Sequence, residues 1–455
     1  MYLEGTEQFH RRAAALLRAV ANDLKRDDAS AEADLDLPVG SFAELTGGRR
    51  PITWEIVRRA CEVWPLNERD LLPGHDDCDA GIRVVRAGES VRSARIIDRA
   101  GKPYYEYRDT AMSRVASYRP EWIRMLCHVT DNSPENPEVR WNNGHLLYQF
   151  TYFVGPVNYY YRWNGESRCT PMNTGDSVWG LPFAPHSFTA RSSDEPAYIL
   201  ALTYGANLVG DAQRELSILG PGATKDMVLP LGSTGSLLTS FMDARMLTSA
   251  QLAHASGIAH SRLRSVCADE TTAMPDELTA LANVLGVAVR ELLAPEETTH
   301  FGVHIQKRTD TTSWDYHGAY HVTRLAGDSL HPHTTAVEVD VHTEEPAWAA
   351  TYQHQYLYVL GERSVRLHWE HGGRKHETVL AAGDSAYLMP YVRCGFSGEA
   401  TVLVLRIGGM AGTDVRFALG AMADGGIDRY LDEDRLWFDA GKTGGQTAGQ
   451  TGGGR

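Results

Sequence analysis

The stretch 142–163, NNGHLLYQFTYFVGPVNYYYRW, decides the fold because the chain writes it twice: residues 350–369 read ATYQHQYLYVLGERSVRLHW. Set 206 positions apart, Gln149 meets Gln355, Gly155 meets Gly361 and Trp163 meets Trp369. Each copy is dense in Tyr, Val, Phe and Leu and is split by a glycine, the signature of two strands joined by a tight turn. A second shared phrase lies downstream, GDSVWGLPFAPH at 175–186 and GDSAYLMPYVRC at 383–394, pairing Gly175 with Gly383 and Pro182 with Pro390. Around both copies, Gly, Pro, Asn and Asp recur at roughly the eight-to-twelve-residue spacing of strand-ending turns. The segments 90–215 and 300–435 therefore read as antiparallel sandwiches or barrels.

Outward from the strands lies a second duplication. WEIVRRACEVWPLNERDLLP at 54–73 matches PDELTALANVLGVAVRELLAP at 275–295, with Leu71 and Leu292 standing 221 positions apart. The same offset pairs Phe42 with Leu263, Val57 with Leu278, Cys61 with Ala282 and Trp64 with Leu285, apolar positions at helical spacing. In the later copy, LTSAQLAHASGIAHSRLRSVCADETTAMPDEL breaks into short helices at Gly and Pro, the pattern of a helix-turn-helix module; the earlier copy is more decayed. The expected architecture is mainly β with α modules, a tandem duplication: helical module 8–75, barrel 90–215, helical module 235–296, barrel 300–435. The Gly/Thr/Gln-rich segment 440–455 has nothing to bury and is expected to be a disordered tail.

Composition narrows the classes. Among 455 residues, 44 Lys+Arg oppose 58 Asp+Glu, a formal net charge of −14, which works against a phosphate-backbone footprint. No apolar run approaches the ~20 residues of a membrane helix, and the first residues are amphipathic and charged, so a cytoplasmic protein is expected. The six cysteines lack C-x-x-C spacing, which fits reduced thiols and not a disulfide or zinc framework.

The strand regions resemble cupins, double-stranded β-helix barrels that draw an early histidine from one strand pair and a late one from another. Here His145 stands four before Gln149, and His186 comes after the GDS phrase. Four residues of straight strand span about 13 Å, so a bend must bring His145 and Gln149 together. Two imidazoles and one oxygen donor on one face of a metal suit ferrous iron and dioxygen. The aligned positions of the second barrel are Thr351, Gln355 and Cys394, with both imidazoles gone; His354 and His368 lie nearby without a matching partner downstream, so that barrel reads as structural.

A repeated helix-turn-helix plus cupin, with NNGH upstream of GDS and a late His, resembles the phosphonate dioxygenase family that contains 2-hydroxyethylphosphonate dioxygenase and methylphosphonate synthase. The resemblance spans residues 10 to 435. It implies Fe(II), dioxygen and cleavage of the C1–C2 bond of 2-hydroxyethylphosphonate, with hydroxymethylphosphonate and formate as one outcome and methylphosphonate and bicarbonate as the other. Familiar members place a glutamate six residues before the last histidine, where this chain has Gly180. The resemblance therefore implies a triad of His145, Gln149 and His186, with Arg99, Tyr107 and Asn142 around the phosphonate. It also implies Lys25 donated from a neighbouring subunit of a homo-oligomer. With no bulky side chain at Gly180 to pin the one-carbon fragment, the expected product is hydroxymethylphosphonate. The rival class is a helix-turn-helix–cupin transcription regulator, opposed by a candidate recognition segment that carries only Arg262 and Arg264 against Asp269 and Glu270.

Overall fold

The computed structural model describes residues 3–437; the expected tail, 440–455, lies outside the described residues. The described residues divide into two compact units, one of residues 3–77 with 411–437 and one of residues 78–410.

The first unit is helical. Helices Asp28–Leu35, Ser41–Thr46 and Trp54–Val63 lie 221 positions before helices Ser249–Ser256, the last six residues of His260–Cys267, and Pro275–Leu285 of the second unit. The offset found in the sequence is thus a repeat of whole elements. Phe42, Val57 and Leu71 in one copy, and Leu263, Leu281 and Leu292 in the other, are buried to within 1%. Each such side chain contributes roughly 1.5–3 kcal/mol of transfer free energy. N-cap side chains set the helix starts: Asp27, Thr53 and Thr248 each accept from a backbone N–H three residues on, worth about 1 kcal/mol apiece. Residues 411–437 group with this first module, and the strands of the later barrel end at Ile407.

The second unit holds both barrels. In the earlier one, strands Ser177–Gly180, Tyr148–Val154, Tyr198–Tyr204, Tyr118–Met125, Lys102–Asp109 and Arg95–Arg99 pair in that order as an antiparallel sheet. A three-stranded sheet of Glu166–Met172, Val157–Trp163 and His186–Ala190 accompanies it. Alternation assigns the faces. Phe153, Val178 and Ile199 turn into the barrel core, while Phe150, Tyr152, Trp179 and Leu200 turn out and pack with Tyr356, Tyr358, Tyr387 and Leu403 of the later barrel. One run of aromatic strands thus builds two cores.

The barrels exchange a strand. Ile82–Val85, which precedes the earlier barrel, pairs antiparallel with Ser385–Leu388 of the later one; Val303–Gln306, which precedes the later barrel, pairs with Ser177–Gly180 of the earlier. The GDS aspartates clasp these guests. Asp176 accepts from Lys307 Nζ at 2.7 Å and from the Arg308 and Asn173 amides at 2.9 Å. Asp384 accepts from Arg86 Nη1 at 2.8 Å, the Ala87 amide at 2.7 Å and the Ala381 amide at 3.0 Å. Each exchanged strand therefore also covers an otherwise open sheet edge.

One sequence pairing needs correction. Tyr161 lies opposite His186, and Trp369 lies opposite Cys394, so the counterpart of Trp369 is Tyr161 and not Trp163. The earlier hairpin runs from Val154 to Val157, whereas the later one runs from Leu360 to Val365. Two residues inserted in a solvent-exposed turn shift the alignment at little energetic cost, and the shared tryptophan masks the shift.

Candidate active site

Within the earlier barrel a cavity of about 260 Å³ is lined by Arg99, Tyr107, Asn142, His145, Gln149 and His186, which come from four separate stretches of chain. Glu121, Tyr105 and Thr203 complete its polar wall.

The bend that joins His145 to Gln149 is a loop and not a strand bulge. His145 precedes the strand Tyr148–Val154, and its ring turns back so that Nδ1 meets the Leu147 carbonyl at 2.9 Å and Nε2 lies 3.0 Å from Gln149 Oε1. Gly144 makes the turn possible: its φ is +73°, and a Cβ there would lie 2.5 Å from the carbonyl carbon of Phe183. The Phe183 amide in turn donates to the His145 carbonyl at 2.7 Å. His186 opens its strand with Nδ1 on the Ala184 carbonyl at 2.9 Å.

A carbonyl can only accept, so in the neutral form each imidazole carries its proton on Nδ1 and presents Nε2 as a lone pair. The rings sit 5.3 Å apart at 83°. Burial, with smaller contributions from His145 and Arg99, pushes His186 down to about 4, so its imidazole is neutral near pH 7. With Nδ1 as the protonated nitrogen, His145 Nε2 and Gln149 Oε1 are both acceptors, and two lone pairs held 3.0 Å apart repel unless a proton or a metal ion lies between them. Among the described residues no three His, Cys, Asp or Glu side chains gather as a metal set. A metal in this cavity would therefore draw on the two imidazoles and an amide oxygen, a donor set that fits a borderline-hard divalent ion.

Asn142 joins both halves of the cavity. Its Oδ1 accepts from the His186 and Gly144 amides at 2.8 and 3.0 Å, which fixes the amide, and its Nδ2 donates to His186 Nε2 at 2.9 Å. Arg99 donates to the Arg140 carbonyl at 2.6 Å and lies over the rings of Tyr104 and Tyr105. Burial, and then the Glu121 charge, raise Tyr107 above the usual phenol range and keep it a donor. Lys25 belongs to the helical unit, where its ammonium contacts the Asp23 carbonyl at 2.8 Å and the Trp437 ring at 4.3 Å.

Sequence reasoning missed Glu121. Its carboxylate lies 3.5 Å from Arg95, and burial raises its pKa above the ordinary carboxylate value. The signal was a carboxylate two residues before Ile123 in YRPEWIRM, which points inward only once the barrel face of that strand is known.

The later barrel shows what replaced the imidazoles. Gln355 survives, but its Oε1 accepts from Arg406 Nε at 3.0 Å, and its Nε2 faces the buried Cys394 sulfur at 3.8 Å. Arg406 pairs across the sheet with Gln355, as Thr203 pairs with Gln149. A guanidinium thus satisfies the amide oxygen. His354 bonds the Tyr387 hydroxyl at 2.7 Å and His368 the Ser397 hydroxyl at 2.8 Å.

These features define a tandem helix-turn-helix and cupin protein with two imidazoles and one amide converging in a single barrel. A helix-turn-helix family matches residues 239–292. The methylphosphonate synthase of Nitrosopumilus maritimus is 37% identical over 430 residues, 92% of this chain and 94% of that one. The 2-hydroxyethylphosphonate dioxygenase of Streptomyces viridochromogenes is 28% identical over 72% of this chain and 76% of its own length. The Streptomyces albus HEPD, solved with 2-hydroxyethylphosphonate and Fe(II) bound, superposes with a TM-score of 0.93 at 59% identity, covering 94% of this chain and 99% of that one. The chain belongs to the family of methylphosphonate synthase and 2-hydroxyethylphosphonate dioxygenase.

Proposed function

We propose that the protein is an Fe(II)- and O2-dependent dioxygenase that cleaves the C1–C2 bond of 2-hydroxyethylphosphonate to hydroxymethylphosphonate and formate. The observation that carries this reading is the 59% identity, over 94% of the chain, to the Streptomyces albus HEPD with that substrate and Fe(II) bound. The methylphosphonate outcome rests on the more distant relation of 37%.

His145, Gln149 and His186 hold the metal in this proposal. Bound there, ferrous iron would supply the Lewis-acid and redox chemistry that oxygen-dependent cleavage of the substrate needs. Three neutral donors leave the full 2+ charge of the ion to attract a phosphonate dianion, so substrate and metal strengthen one another's binding. The Arg99 guanidinium pairs with phosphonate oxygens, and the Tyr107 hydroxyl and Asn142 amide donate to them. Asn142 Nδ2, which caps His186 Nε2, is freed for this task when that lone pair goes to a metal. Anaerobic loading with Fe(II), then oxygen and 2-hydroxyethylphosphonate, tests the product by coupled phosphorus NMR. A triplet from the P–CH2 group is expected; a quartet from P–CH3 overturns the assignment.

We further propose a homo-oligomer in which Lys25 reaches the phosphonate of a neighbouring site. The helical segment Asp211–Asp226, kinked at Gly220, supports an assembly, since it buries none of its side chains and leaves Ile218 86% exposed. Mixing Lys25→Ala chains with Arg99→Met chains, at a substrate concentration far below the raised KM of either variant alone, should restore activity through hybrid sites, and no recovery refutes donation between subunits. A DNA-binding role is disfavoured by Arg262, whose guanidinium is committed to Glu277, Thr271 and the Thr272 carbonyl. A gel shift at low salt should show no retardation.

A further inference from the structure

An amide ligand has two ends, and only one of them binds a metal. The oxygen is a donor to the ion, whereas the NH2 group carries positive hydrogens that repel it. Something must choose the end that faces His145. Gln149 Nε2 donates to Thr151 Oγ1 at 2.9 Å, and Thr151 is fully buried. Gln149 and Thr151 are two residues apart in one strand and share its inward face. We propose that Thr151 is the positioning residue that holds the Gln149 amide oxygen toward the metal, a role that rests on the reading of Gln149 as a ligand.

The competing arrangement makes this choice consequential. His145 presents an acceptor at Nε2, because its Nδ1 proton is spent on the Leu147 carbonyl. An amide rotated by half a turn would donate its NH2 to that lone pair and form a satisfied N–H···N bond. That single flip removes two metal donors together, the amide oxygen and the imidazole. Thr151 opposes the flip by accepting from Nε2 on the far side: a flipped amide would put Oε1 against the threonine oxygen, and the hydroxyl would have to turn its own proton toward it.

The later barrel serves as an internal control. By register, Leu357 stands opposite Ala386 as Thr151 stands opposite Val178, so the hydroxyl is missing where the imidazoles are missing. There the Gln355 oxygen is oriented by Arg406 instead. The threonine thus accompanies the metal-binding form of the repeat, and the arginine accompanies the other.

The test uses metal-stripped full-length protein titrated anaerobically with Co(II), read by its d–d absorption, alongside the melting temperature of each metal-free variant. Thr151→Val, which keeps the volume and deletes the hydroxyl, should weaken Co(II) binding about tenfold or more and alter the d–d spectrum. Thr151→Ser should restore both. Should the valine variant fail to fold, Thr151→Ala against Thr151→Ser provides the same comparison. Gln149→Ala should also weaken binding, and adding Thr151→Val to it should change nothing more, because the two act as one unit. If Gln149→Ala weakens binding while Thr151→Val leaves affinity and spectrum unchanged, the orientation role is wrong and the ligand assignment stands. If Gln149→Ala binds Co(II) as the parent does, the ligand reading falls and the role of Thr151 with it.

Discussion

Removing the carboxylate of Asp176 should release the exchanged strand Val303–Gln306 from the earlier barrel while leaving its counterpart Ile82–Val85 in place. Asp176 is 5% exposed and accepts three hydrogen bonds; two of them, from Lys307 Nζ and the Arg308 amide, come from the two residues that directly follow the exchanged strand. A charge-assisted bond contributes roughly 1.5–3 kcal/mol and an amide bond about 1 kcal/mol. The Lys307 side chain is 31% exposed, which reduces the first figure. Asp176→Ala should therefore lower the opening free energy of the strand by about 2–3 kcal/mol, which at 1.4 kcal/mol per decade is roughly a 30- to 150-fold gain in exchange rate. Hydrogen-exchange mass spectrometry resolves this by peptide. The Val303–Gln306 amides should exchange faster while those of Ile82–Val85 do not change, and Asp384→Ala should do the reverse. Acceleration below threefold, or equal acceleration of both strands, would refute the claim that each aspartate clasps one guest strand.

Three further outcomes are expected. Arg99→Met should raise the KM for 2-hydroxyethylphosphonate about 10- to 100-fold through loss of a charge-assisted contact, and an unchanged KM in steady-state oxygen uptake removes Arg99 from the phosphonate site. Gly144→Ala places a methyl group against the Phe183 carbonyl at a φ of +73°, so the loop carrying His145 must shift; metal affinity should fall while the far-UV spectrum holds. The Glu277 carboxylate is held down to about 2 by Arg262 and then by the Met274 amide, below the ~4.3 of an unfolded chain. Its contribution is present above pH ~4.3 and is lost as pH falls toward 2, so Glu277→Gln should flatten the acid limb of the melting curve there, by a small amount because the pair is partly exposed.

Much of the architecture was legible because it rests on periodicity. The 221-residue helical offset predicted that Leu71 and Leu292 occupy equivalent places, and both are fully buried in matching 3-10 turns. The cavity was legible where its residues belong to short phrases, NNGH for Asn142 and His145, and GDS with its proline-containing turn for His186. It was not legible where a residue enters from a strand with no phrase of its own. Thr203 and Arg406 lie beside the glutamines, and Glu121 reaches the cavity wall from one strand further on, only through cross-strand register, and register depends on which strand is the neighbour. The misplaced Trp163 has the same origin: an identical residue two positions away outweighed a turn-length difference that only the pairing of Tyr161 with His186 exposes.

The duplication, the chemical kinds of donor, and the loss of both imidazoles from the later copy can be read along the chain, because they depend on residue identity and on spacings of a few residues. Tertiary structure decided which barrel each leading strand joins, that GDS serves as a clasp, which end of the Gln149 amide faces His145, and that Arg406 satisfies Gln355. Those outcomes depend on contacts between residues up to about three hundred positions apart, such as Arg86 with Asp384. No local pattern encodes such contacts, since an edge strand can satisfy its backbone groups on either barrel and only the packed whole selects one.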